Sequence, residues 1–203
     1  MNELTTNKEK VKEVYQNASA ETKEALKALF GDESNFKPSL DDYTTIRSYE
    51  DACEALGEEP VLNEGLGVFL SGWKLMNLPS HIIALMKLET ISRALWGKAW
   101  KPKPDAEGSK WFYYPIFGLY TKSEIENMDE DKHGGLWSAA VSTGAHVGFG
   151  FLYTYSRSSV AHANFGFRLS QEDSEKAEYF GKQFLELWAE YLKLNFEVGG
   201  RLK

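Results

Sequence analysis

Four histidines (His81, His133, His146 and His162), a single cysteine (Cys53) and many serines could supply a ligand, a base or a nucleophile. Their spacing assembles none of the familiar sites. No histidine pair has the HExxH separation that sets two imidazoles on one helix face for a metal. No serine lies in a Gly-x-Ser-x-Gly turn, and no Ser/His/acid set follows from spacing. There is no P-loop, and Gly148-Phe149-Gly150 neither continues into G-x-G-x-x-G nor opens a helix. Cys53, flanked by Ala52 and Ala55 in a predicted helix, reads as a small buried hydrophobe. We therefore expect no catalytic residue, no metal and no cofactor. An enzyme using His146, His162 or Arg168 on a small molecule ranks third, and would need a concave pocket at those residues.

The residues that could instead bind something lie in one stretch, Ala145–Leu169. Val147, Phe149, Phe151, Tyr153 and Tyr155 recur at every second position, as do Ala163, Phe165, Phe167 and Leu169. This predicts two strands joined by a polar loop over 156–160, with Phe151 facing Phe165 and Phe149 facing Phe167. The opposite face then carries His146, Gly148, Gly150, His162, Asn164, Gly166 and Arg168, with Thr154 opposite His162. That face, floored by glycine, is the candidate binding site. A bulge or strong curvature would explain the glycines equally well, and a second subunit packed close is the third option. The aromatic row could stack bases, with Arg157 and Arg168 on phosphates. A core position under the C-terminal helix is the stronger reading for the phenylalanines, which leaves Trp111, Tyr113, Tyr114 and Trp137 as candidate exposed stackers.

The elements around this stretch follow from caps and periodicity. Short helices are predicted over 7–17 and over 19–30 with Ser19 as cap, followed by a linker at Asp32–Thr45. Ser48 and Gly57 bracket a helix, residues 58–77 read as loop with one short turn around Val68–Leu70, and Pro79 opens a helix that Gly97 ends. Glu89 and Arg93 on that helix are spaced for an ion pair. Residues 111–120 read as an edge strand, or one broken at Pro115. Thr121 and Glu124 form a capping-box pair, and Trp137–Thr143 alternates as a further strand. Ser170 is the expected cap of one long helix whose Ala177, Phe180, Phe184, Leu187, Trp188 and Tyr191 form an apolar stripe. The tail from Val198 reads as frayed. The fold class is α+β: N-terminal helices, then a three- to four-stranded antiparallel meander covered on one face by the C-terminal helix. Residues 1–45 form a helical arm and linker, and 46–203 a single domain.

Composition narrows the partners. The chain has 203 residues, 42% hydrophobic and 14% aromatic, with a net charge of −7. An acidic balance without a basic run disfavours duplex DNA and anionic membranes. One cysteine permits no internal disulfide. The polar start, MNELTTNKEK, lacks the apolar core of a signal peptide, and the apolar runs are short and interrupted by charge. A soluble intracellular protein is the expectation.

Three segments carry a family resemblance: IRSYEDACEALG (Ile46–Gly57), LPSHIIALMKLETISRALWGKAWKPK (Leu78–Lys103) and GFRLSQEDSEKAEYFGKQFLELWAEYL (Gly166–Leu192). The chain resembles a group of small uncharacterised proteins encoded by phages and prophages of gut Bacteroidales, crAss-like phages included. Aromatic strands, then Arg-Leu, then a helix with Tyr-Phe-Gly-Lys-Gln-Phe typify both. Ser170-Gln171-Glu172 departs from the more basic or Thr-containing helix start of that group, and 121–136 looks like a local insertion. The resemblance implies a phage or mobile-element context in the cytoplasm of a bacterial host or in its virion. It implies no activity. The leading expectation is thus a non-enzymatic binding or assembly protein with a protein partner or a homo-oligomer. A single-stranded nucleic-acid-binding accessory of phage replication is second, and no membrane partner is expected.

Overall fold

Each helix start and stop has a side-chain or backbone cause. The computed structural model describes residues 14–15, 18–30, 37–60, 69–70, 73–74, 78–97, 107–129, 136–141, 146–158, 168–192 and 196–201. Helix α1 (Ala20–Phe30) starts where the Ser19 hydroxyl accepts from the Thr22 amide. Of the expected 7–17 helix only Val14 and Tyr15 are described, both helical. Helix α2 (Tyr49–Leu56) starts at Ser48, whose hydroxyl accepts from the Asp51 amide, while the Asp51 carboxylate accepts from the Arg47 amide. It stops at Gly57, which takes the left-handed conformation (φ 69°) and donates back to Cys53 and Glu54. Helix α3 (Ser80–Trp96) begins after Pro79 and ends at Gly97, again at positive φ.

The fold is α+β. Its main sheet has four antiparallel strands: β3 (Trp111–Tyr120), β4 (Trp137–Val141), β5 (His146–Ser158) and β6 (Phe196–Arg201). Their spatial order is β3-β5-β4-β6, so the sheet is no meander. The long β5 lies inside, with β3 along it from Gly148 to Ser158 and β4 against its first few residues only. A separate two-stranded ribbon, β1 (Phe69–Leu70) with β2 (Trp73–Lys74), stands where the sequence read as loop. The tail, expected to fray, pairs with β4 as β6. Pro115 does not interrupt β3, because β3 is an edge strand and a proline there costs no necessary ladder bond.

The short helix α4 (Lys122–Glu126) carries the complete Thr121/Glu124 capping box. The C-terminal helix is two pieces, α5 (Ser174–Gln183) and α6 (Leu185–Tyr191), meeting at Phe184 (φ −109°, ψ 30°). The Trp188 indole N–H donates to the Phe180 carbonyl, satisfying an acceptor at the break. Asp173, not Ser170, caps α5. The reason is Gln171, which exchanges both backbone hydrogen bonds with Tyr113 on the edge of β3 and keeps the chain extended to that point.

Helices α2, α3, α5 and α6 enclose the largest buried cluster, centred on Ile46, Leu88, Ile91, Leu95, Phe180 and Trp188. Each such side chain contributes about 1.5–3 kcal/mol on burial. The cluster meets the sheet through Phe117, which stacks on Phe149 and lies 5.0 Å from the Trp188 ring. At Gly181 the helix touches the sheet so closely that a Cβ would stand 2.6 Å from the Phe151 ring and 2.7 Å from Pro115. The expected 32–45 linker is docked from Ser39 on. Leu40 and Tyr43 pack on the cluster, and the Tyr179 hydroxyl donates to the Ile46 carbonyl.

Candidate functional site

The pairing of β3 with β5 decides which residues share a face. Ile116 pairs with Tyr153 and Phe117 with Phe151, so Leu152 is an extra residue, a β-bulge. Alternation is therefore reset within β5. Phe149 and Phe151 face the same side as Phe117, toward α5 and α6. Tyr153, Tyr155 and Arg157, paired with Ile116, Tyr114 and Phe112, face the other side. Uniform alternation from 147 to 155 put all the aromatics on one face; the bulge is why that expectation fails.

The expected glycine-floored site is covered where the structure describes it. Gly148, Phe149 and Gly150 are buried. A Cβ on Gly148 would reach 2.9 Å from Ile125 of α4 and 3.2 Å from Leu136, so these two side chains roof the glycine. Gly150 pairs with Gly118, over which lie the Tyr120 ring and the Leu152 side chain, each under 4 Å from where its Cβ would be. His146 pairs through its backbone with Ala140. His162, Asn164 and Gly166 lie outside the described residues, as do Phe165 and Phe167 of the expected hairpin. The described partners of Phe149 and Phe151 are instead Leu119 and Trp137 for the first and Phe117 for the second.

Arg168 and Leu169 form a turn rather than a strand. Arg168 is 75% exposed and its guanidinium donates to the Glu89 carboxylate at 3.1 and 3.2 Å. Glu89 thus pairs with Arg168 rather than with Arg93. Arg93 reaches back to Glu58, donating to both carboxylate oxygens, and that bond holds the Glu58 carboxyl below its usual range. Both pairs are partly exposed and carry modest energies.

What remains open on this side of the sheet is the bulge itself. Leu152 and Tyr153 are adjacent, face the same way, and are 47% and 49% exposed. Tyr155 and Arg157 continue the row half-buried, with the guanidinium 4.5 Å above the Tyr155 ring. Ile116 flanks the row on β3. Of the expected stackers, Tyr114 is buried, its phenol raised by burial, and Trp111 is exposed. The sequence carried one faint sign of this surface: Leu152 interrupts a row that otherwise holds Gly148, Gly150 and Thr154.

The described residues hold no group of three or more His, Cys, Asp or Glu able to bind a metal. Burial pushes the Cys53 thiol up, away from the reactive thiolate. No helix among the described residues is long and apolar enough to cross a membrane. No protein-family model, curated protein or solved structure matches this chain.

Proposed function

We propose that this chain is a non-enzymatic binding protein whose contact surface is the bulged segment of β5, Leu152 to Arg157. One observation carries the reading. The bulge turns two large side chains, Leu152 and Tyr153, side by side into solvent, where regular alternation would expose one and bury the other. A bulge that re-aims a side chain is a common device at the edge of a binding site. The lack of a catalytic motif in the sequence favours self-association or membership of a larger complex as the role of that surface.

The test is mass by light scattering over a concentration series at low salt, with and without a short single-stranded oligonucleotide. The wild-type chain should self-associate or take up the oligonucleotide. The double variant Leu152→Glu/Tyr153→Ser should lose that behaviour while its melting temperature stays within about 3 °C, since both side chains are half exposed. A wild-type monomer indifferent to the oligonucleotide, or a double variant indistinguishable from wild type, rejects the surface.

A further inference from the structure

We infer that the Tyr153–Tyr155–Arg157 row is a stacking site for single-stranded nucleic acid, an assignment that rests on the binding surface proposed above. The three residues alternate along one face of one strand, at positions i, i+2 and i+4. Successive members therefore stand about 6.5–7 Å apart. That spacing lets an extended single strand lay one base on the Tyr153 ring and the next on the guanidinium that covers Tyr155, while its phosphates pass the same cation. Tyr153 offers a half-exposed ring, and Leu152 beside it adds apolar surface for a base edge.

Arg157 supplies the charge argument. Arg93 and Arg168 are each neutralised by a carboxylate, Glu58 and Glu89. No described carboxylate lies within ion-pair distance of Arg157, whose contact is the face of Tyr155. A half-buried arginine with its guanidinium over a tyrosine ring, and with no carboxylate partner among the described residues, is complementary to a phosphate or a base edge. A duplex buries its base faces and cannot use such a row. The net charge of −7 opposes any polyanion, so binding is weak and confined to low salt.

Fluorescence anisotropy of a labelled twelve-nucleotide single strand, in 25 and 250 mM salt and with a duplex control, tests the assignment. The single strand should bind at low salt, lose affinity as salt rises, and bind better than the duplex. Tyr153→Ala should weaken it by about five- to a hundredfold. Arg157→Gln should weaken it and flatten the logarithmic salt dependence by roughly 0.7. No binding at 25 mM salt, a preference for duplex, or binding indifferent to both substitutions overturns the assignment. Light scattering on the same samples separates the two failures. If no oligonucleotide binds but the wild-type chain self-associates and Leu152→Glu dissolves the oligomer, the surface stands and its ligand is a second copy. If neither occurs, both readings fall.

Discussion

Single atoms decide several positions in this chain, and a glycine and a tyrosine make the point with different chemistry. Gly97 has φ 75°, and a Cβ there would stand 2.6 Å from the Leu40 carbonyl oxygen, which belongs to backbone and cannot swing aside. Gly97→Ala combines a left-handed conformation with that clash. It should cost at least about 2 kcal/mol in urea denaturation; a loss under about 0.5 kcal/mol would mean that Leu40 is not docked on the end of α3. Tyr179 is the other such position. Burial, chiefly, pushes its phenol up to about 12 from an ordinary value of 10.0. The neutral form is thus favoured by the folded state. The stability it supplies is complete below about pH 10 and is lost as pH climbs through 12. Thermal melts of wild type should therefore fall over that window, and those of Tyr179→Phe should fall less steeply. Equal slopes would place the alkaline sensitivity elsewhere.

Elements show which parts of the fold the sequence could reveal. Caps were legible because a cap is a local bargain between one side chain and one or two amides: Ser48, Gly57 and Thr121 with Glu124 do in the structure what their spacing implies. The start of the last helix was not, because Gln171 is held extended by Tyr113, a partner 58 positions away. Where the candidate site is described, it departs from the sequence reading for the same kind of reason. A bulge changes the face of every residue after it, and period-two reading of 147–155 has no means to place one. Nor could spacing show that α4 would fold back to set Ile125 over Gly148. The two glycines at contacts between a helix and the sheet give a paired prediction. At Gly181 a methyl meets a phenyl ring and a proline ring, both fixed within the sheet, so Gly181→Ala should cost about 1–3 kcal/mol. At Gly148 it meets the ends of two aliphatic side chains that can rotate, so Gly148→Ala should cost less. Urea midpoints for the two variants in the reverse order would show that the α5–sheet contact is the looser one.

At the scale of the whole molecule, the described burial is concentrated in α2, α3, α5 and α6 and bypasses α1. Ala84, Leu88, Ile91, Ala94 and Leu95 of α3 are almost fully buried. No residue of α1 whose exposure is described is buried, and Leu29 is 74% exposed. Local opening is easiest where few apolar contacts must be broken, so the two helices should differ widely in their opening free energy. Native-state hydrogen exchange reads this directly. Amides of Leu88–Leu95 should exchange only through global unfolding, with a denaturant dependence equal to that of the equilibrium transition. Amides of 24–30, although helical, should exchange faster by orders of magnitude and with almost no denaturant dependence, the mark of an opening that exposes little surface. If α1 were as well protected as α3, one source of the cover would be a second copy of the chain in solution. The protection would then fall on dilution, and light scattering on the same series would show a matching drop in mass. Protection that survives dilution would instead mean that α1 is held by this chain's own core, against its exposure here.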